Sequence, residues 1–282
     1  MAVLTVRDLT VDLMTGLGAL RAVDGVSFSI DPGETVTIIG ESGSGKSTTA
    51  MALLRLLPDD FAVLGGQAEI AGRDVLGTRR HIGALRGRTV ALIPQDPMTA
   101  LNPIATIGRQ MTEAIRLAHR GVSRAQARVR ALDLLRAVHL SQPERRLKSY
   151  PHQLSGGMLQ RVLIAMALSA EADLIVADEP TSALDVTVQA GILDLLLEIQ
   201  ERTGAAMLLI THDLGVARLM SDRVHVMQSG RFVESGPVED VIGRPQHPYT
   251  RKLLEALPKL GPWDDPGLPA APQPRLMKEA AS

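Results

Sequence analysis

Gly40-Glu41-Ser42-Gly43-Ser44-Gly45-Lys46-Ser47 is the stretch that decides how this chain is read. It fits the pattern G-x-x-x-x-G-K-[ST]. The glycines let the backbone curl so that successive N–H groups point inward. Those amides and the N-terminus of a following helix form an anion cradle. Lys46 adds a positive charge toward β- and γ-phosphates, Ser47 supplies a hydroxyl ligand for Mg²⁺, and Thr48 is placed to reach an α-phosphate. By ordinary residue frequencies the pattern arises in a chain this long roughly once in a hundred cases. Lysine is scarce here, with five in the chain, yet one holds the required position. The context fits too: the apolar Glu34–Ile39 reads as a strand before the loop, and a helix follows to about Leu57.

The same grammar extends in both directions. Val3–Val6 and Val26–Ile30 read as strands, Asp31-Pro32-Gly33 as a turn, Gly65-Gly66 as another turn, and Thr89–Ile93 as a buried strand. From about Ile104 to Gln153 the chain is rich in Ala, Leu and Arg with helical spacing, as in Val129, Leu132, Leu135 and Val138. This predicts a helical subdomain, at about 104–170, inserted in an α/β core. Leu174–Ala177 then reads as a buried strand, Asp185–Arg202 as an amphipathic helix and Ala206–Ile210 as a strand. Alternating strands and helices predict a mainly parallel sheet. One large domain is expected over 1–257. Pro258, Pro262, Pro266, Pro269, Pro272 and Pro274 mark 258–282 as an extended, flexible tail.

Composition narrows the function classes. The net charge is -1, which gives no global pull toward nucleic acid or an anionic membrane. Aromatics are 2%, too few for stacking platforms on single strands, so no nucleic-acid partner is expected. There is no cysteine, which excludes disulfides and thiolate metal sites. The N-terminus does not read as a signal peptide, and no apolar run approaches the ~20 residues that span a bilayer, so any membrane role passes through a partner.

Leu174-Ile175-Val176-Ala177-Asp178-Glu179 is an apolar strand ending in two acids. At the carboxyl end of a parallel strand such acids face the ligand crevice. Asp178 would hold Mg²⁺, and Glu179 would orient and deprotonate an attacking water. Alone, the pair is equally compatible with a solvated turn before Pro180. Leu154-Ser155-Gly156-Gly157-Met158 precedes a helix running through Val162–Ser169, with Ser155 as a natural N-cap and bare amides at the helix's positive end. Alone, this pentad is a capped helix start. As a second anion cradle, it suggests that two chains share each nucleotide.

The order of these motifs carries the strongest signal. Twenty residues separate Gly157 from Ala177, the acids follow at once, then Ser182-Ala183-Leu184-Asp185, then a strand ending Thr211-His212-Asp213. With Gln95 after a strand between P-loop and pentad, the series resembles the ABC ATPase family from about Val3 to Gly236. The resemblance implies a P-loop NTPase core with an N-terminal antiparallel β subdomain, ATP and Mg²⁺ as ligands, and coupled hydrolysis. It makes Gln95 a sensor of Mg²⁺ and γ-phosphate that also links to the membrane domain. Ser155, Gly156 and Gly157 clamp the ATP of the opposite subunit, Asp185 lies at the dimer seam, and His212 contacts the γ-phosphate. One departure is visible: no aromatic stands between Val11 and Val23 to stack on adenine, and Leu17 or Leu20 is the aliphatic substitute.

Gln95-Asp96-Pro97-Met98-Thr99-Ala100-Leu101-Asn102-Pro103 and Ser149-Tyr150-Pro151-His152 narrow the resemblance to the peptide and nickel importer ATPases. So do Ala183-Leu184-Asp185-Val186-Thr187-Val188-Gln189 and His247-Pro248-Tyr249-Thr250-Arg251-Lys252-Leu253-Leu254. Peptide import is the first expectation and nickel or metallophore import the alternative. A soluble ABC protein of translation or DNA repair is the alternative of another class. The implied partners are a second, related ATPase subunit, two transmembrane permease subunits and an external substrate-binding protein. The implied location is the cytoplasmic face of the cell membrane, as a peripheral subunit. His247 itself reads as part of a packed turn before a helix.

Overall fold

The computed structural model describes residues 1–16, 18–77, 79–182 and 184–255. Strands β1 (Leu4–Thr15) and β2 (Gly18–Ile30) form a long hairpin, followed by β3 (Thr35–Ile39) and helix α1 (Lys46–Leu53). Then come β4 (Ala62–Ile70), β5 (Arg73–Asp74), α2 (Arg79–Leu85) and β6 (Val90–Ile93). A helical run follows: α3 (Pro97–Ala100), α4 (Ile107–Ala118), α5 (Arg124–Ala137), α6 (Pro143–Arg146) and α7 (Gly156–Leu168). The chain continues through β7 (Leu174–Asp178), α8 (Val186–Thr203), β8 (Ala206–Thr211), α9 (Leu214–Met220), β9 (Arg223–Gln228) and β10 (Arg231–Pro237). It closes with α10 (Val238–Val241) and α11 (Pro248–Glu255).

Two sheets result. One is antiparallel, in the order β2-β1-β4-β5. The other runs β10-β9-β3-β8-β7-β6, parallel from β9 to β6 with β10 antiparallel at its edge. The burial patterns explain the difference. β3, β7 and β8 are buried at every residue, as strands covered on both faces must be. β1 alternates buried and accessible positions, as a strand packed on one side does.

The two faces of the parallel sheet support separate cores. Along β7 and β8, Leu174, Val176, Ala206, Leu208 and Ile210 join α1 and the antiparallel sheet. The intervening Ile175, Ala177, Met207 and Leu209 join α4, α5, α7 and α8. The phosphate-loop helix α1 and the pentad helix α7 therefore lie on opposite faces of one sheet. This separation follows from the period-2 alternation of the strands.

Element types match the sequence reading, while several details differ. β1 and β2 extend far beyond Val3–Val6 and Val26–Ile30, because the hairpin continues to Thr15 and Gly18 as an exposed ribbon. α1 stops at Leu53 rather than Leu57, as Arg55 takes a left-handed φ of 52°. In α5 the buried stripe is Ala127, Ala131 and Leu135, continued by Val138, while Val129 is 59% exposed. Alanines carry much of this buried stripe, so the apolar face is rotated from the one expected. The predicted tail, 258–282, lies outside the described residues.

One buried group ties the sheets together. His225 of β9 stacks on Phe232 at 4.6 Å and tilts against Phe28 of β2 at 5.6 Å, and its Nδ1 lies 2.7 Å from Ser235 Oγ. Burial, then the neighbouring Arg223 charge, lowers its pKa from 6.5 to about 4, against the pull of Glu34. The folded state thus resists a proton that the unfolded chain accepts. Stability is complete above about pH 6.5 and falls as the pH drops toward 4, by roughly 1 kcal/mol per pH unit. Urea unfolding across this range should show that slope, and His225→Phe should remove it.

Candidate functional site

β3 delivers the chain directly into the cradle. Gly40 has φ of 155° and Gly45 φ of 109°. A Cβ on Gly40 would lie 2.2 Å from Met227 O, and one on Gly45 2.4 Å from Ala22 O. Both positions therefore need glycine for conformation and for space. Gly43 has φ of 82°, with nothing near its Cα hydrogens, so only conformation requires it. Glu41, Ser42 and Gly43 are exposed at the rim, while Ser44, Gly45 and Lys46 are buried.

Lys46 is 4% exposed, and its Nζ donates to Gly40 O and Glu41 O, each at 2.8 Å. Burial draws its pKa below the usual lysine range, while the charges of Glu179 and Asp178 oppose the shift. Ser47 Oγ donates to Asp178 Oδ1 at 2.8 Å. Burial pushes Asp178 above the usual carboxylate range, against the Ser47 hydrogen bond. Thr48 follows, half-buried on the first turn of α1. The buried hydroxyl of Ser44 has no hydrogen-bond partner. A buried unpaired hydroxyl costs about 1–3 kcal/mol, and an anion in the cradle would supply its acceptor.

Three strands converge on one carboxylate oxygen. Glu179, just past β7, accepts at Oε2 from Gln95 Nε2 at 3.0 Å, and His212 Nδ1 lies 3.2 Å from the same atom. Gln95 follows β6 and His212 follows β8, so adjacent parallel strands set the spacing. The Glu179 side chain is 13% exposed and that of His212 58%, which leaves the trio open on one side. Glu179 has a left-handed φ of 44°. Its N–H donates to Ile210 O at 2.8 Å, and Ser182 Oγ donates to its carbonyl at 3.2 Å. The surrounding structure thus imposes a backbone conformation worth about 1–3 kcal/mol of strain at the residue expected from the sequence to act as base.

The pentad lies across the sheet. Ser155 is the N-cap residue of α7, but its side chain makes no capping hydrogen bond, contrary to the simple N-cap reading. Ser155 and Gly156 are exposed, and the helix-start amides at Gly156, Gly157 and Met158 have no intrahelical acceptor. A Cβ on Gly157 would lie 2.4 Å from Val188 Cγ1, so this glycine lets α7 and α8 touch. Asp185 has a local role: it caps α8, accepting from Val188 N at 3.0 Å. Gln189 Nε2, one turn on, donates to Asp213 Oδ2 at 3.2 Å, linking α8 to the cap of α9.

Leu20 stands on β2, two residues from Ala22, and is 58% exposed. Leu17 lies outside the described residues. Tyr249 joins the site without a sequence signal: its Oη accepts from Glu41 N at 3.2 Å in the loop. The H-P-Y-T run was visible, but nothing in it points to a loop 208 residues away. A cavity of about 950 Å³ is bordered by Arg7, Glu69, Glu171 and Asp173 at the opposite strand ends, and no predicted site residue lines it.

Comparison with known proteins identifies the family. The family described as ABC transporter matches residues 23–182, and the one described as oligopeptide/dipeptide transporter, C-terminal region, matches 233–280. The probable peptide ABC transporter ATP-binding protein y4tR of Sinorhizobium fredii is 49% identical, over 90% of this chain and 76% of that protein. The dipeptide transport ATP-binding protein DppD of Bacillus subtilis is 48% identical, over 92% of this chain and 77% of that protein. Among solved structures, the ATP-binding cassette MJ0796, dimeric in a post-hydrolysis state with ADP and Pi, aligns with a TM-score of 0.75. Its identity is 29%, over 83% of this chain and 98% of that chain.

Proposed function

Since this chain belongs to the ABC transporter family, we propose that it is the ATP-hydrolysing subunit of a binding-protein-dependent importer of short peptides. The observation that carries the ATPase assignment is the meeting of Gln95, Glu179 and His212 at one oxygen, beside Lys46 and Asp178. The cargo assignment rests on the match of residues 233–280 to the oligopeptide/dipeptide transporter C-terminal region.

The chain's own residues divide the work. The loop amides and Lys46 hold the phosphates, and Lys46 exchanges two carbonyl acceptors for phosphate oxygens. Glu179 takes a proton from the attacking water, with Gln95 and His212 fixing its carboxylate. Ser47 and Asp178, with Gln95, would hold Mg²⁺, which supplies charge neutralisation at the phosphates. Among the described residues no group of three or more His, Cys, Asp or Glu side chains is placed to hold a metal ion by itself. Ser47 Oγ and Asp178 Oδ1, 2.8 Å apart, are hard oxygen donors of the kind Mg²⁺ takes.

Because α1 and α7 lie on opposite faces of the sheet, the pentad serves a nucleotide bound by another subunit, a second, related ATPase. Head-to-tail pairing then encloses two ATPs, closes on binding and reopens after hydrolysis.

No helix among the described residues is long and apolar enough to cross a membrane. Coupling therefore needs a docking surface for the permease subunits at the cytoplasmic face. A groove of about 370 Å³ beside α4 supplies one, with Ile104 at its rim and 84% exposed. Gln110 holds that rim in shape, donating to Asn102 O and Ala105 O at 3.0 Å each and accepting from Asn102 N at 2.8 Å. Ile104→Asp should reduce permease co-purification roughly ten-fold or more, because a charge replaces an apolar anchor, and should leave ATP affinity unchanged.

Cargo is tested by uptake in a strain lacking this gene. Labelled dipeptide and oligopeptide uptake should be lost, then restored by the wild-type chain and not by Glu179→Gln. Intact peptide uptake with lost nickel uptake would contradict the peptide assignment.

A further inference from the structure

The H-P-Y-T segment is built around one task. His247 precedes α11, and its Nδ1 accepts from Tyr249 N at 3.2 Å, as an N-cap does. Pro248 occupies the first helical position, where a missing N–H costs nothing. Glu234 of β10 anchors the approach, accepting from Gln246 N at 2.7 Å and His247 N at 3.1 Å. Burial raises the Glu234 pKa, but these amides and Thr250 outweigh it and hold the carboxylate below its usual range. The second helical position is thereby fixed, and it belongs to Tyr249.

Tyr249 uses both ends of its side chain. Its ring packs in the small core containing Ile39, the last residue of β3 before the phosphate loop. Its hydroxyl accepts from Glu41 N at 3.2 Å. The Gly40–Glu41 peptide unit is thus held at both poles, its carbonyl by Lys46 Nζ at 2.8 Å and its N–H by Tyr249. When Lys46 turns to a phosphate, the carbonyl restraint is released and the Tyr249 restraint persists.

We propose that Tyr249 is a positioning residue of the phosphate site: through the Glu41 amide it keeps the first peptide of the loop in cradle geometry. The C-terminal element thereby sets the nucleotide affinity of a site far away in sequence. This rests on the reading of residues 40–47 as the ATP phosphate cradle.

The test is Tyr249→Phe, which keeps the ring and removes the hydroxyl. ATP Kd is measured on the purified full chain, and KM and kcat on the assembled transporter. Loss of one neutral hydrogen bond should raise Kd and KM roughly three- to ten-fold, leave kcat at saturating ATP within about two-fold, and leave the unfolding midpoint unchanged. Amide exchange at Glu41 should accelerate. An unchanged Kd overturns the proposal. So does a weaker Kd matched by a lowered unfolding midpoint, which marks a folding effect. Lys46→Ala tests the underlying reading separately: if that variant binds ATP as wild type does, the cradle assignment itself fails.

Discussion

Glu179→Gln should lower ATP hydrolysis by the assembled transporter by roughly a hundred- to ten-thousand-fold, while ATP still binds with near wild-type affinity. Gln is isosteric with Glu, so its amide oxygen can still accept from Gln95 Nε2, now at 3.0 Å, and face His212. The left-handed backbone at 179 is imposed by Ile210 and Ser182, and the substitution leaves it in place. What disappears is the capacity to accept a proton from water. The groups proposed to hold the phosphates, Lys46 and the loop amides, are untouched. Phosphate release and nucleotide binding should therefore separate cleanly. Equal loss of both would mean that Glu179 supports the site's shape rather than its chemistry.

Gly156→Asp should be comparably damaging through a different route. A Cβ at 156 would lie 3.6 Å from Leu184 Cδ2, an ordinary contact, and Gly156 is exposed at the first turn of α7. A carboxylate at a helix N-terminus favours the helix, by about 0.3–1 kcal/mol, so the fold should tolerate it. The same carboxylate would occupy the anion site proposed at the bare α7 amides and repel a phosphate there. Losing such a site should reduce hydrolysis by the assembled transporter roughly a hundred-fold or more. Measured turnover within a few-fold of wild type would mean that α7 contacts no phosphate.

The parallel core was legible in the sequence because its signal is redundant. β7 and β8 are near-continuous apolar runs and β3 is a β-branched run, all bounded by motif residues, and each appears where expected. Gln95, Glu179 and His212 were also legible as separate residues after strands. That they share one oxygen follows from the strand order β8-β7-β6, which spacing alone does not encode. Val129 misled because alanines carry the buried stripe of α5, and small residues leave a faint hydrophobic signal. The Tyr249 contact was invisible because it joins segments 208 residues apart through one hydroxyl. The length of the β1–β2 ribbon was hidden by its exposed polar positions.

In the proposed arrangement this chain holds one complete phosphate cradle and lends its pentad to another subunit's nucleotide. The most direct measurement is the ATP Kd of the isolated chain carrying Gly156→Asp, beside the wild type and Lys46→Ala. The pentad helix lies across the sheet from α1, so Gly156→Asp should bind ATP within about two-fold of wild type, whereas Lys46→Ala should bind at least ten-fold more weakly. A ten-fold loss of affinity in isolated Gly156→Asp would place the pentad on the chain's own nucleotide and contradict the claim.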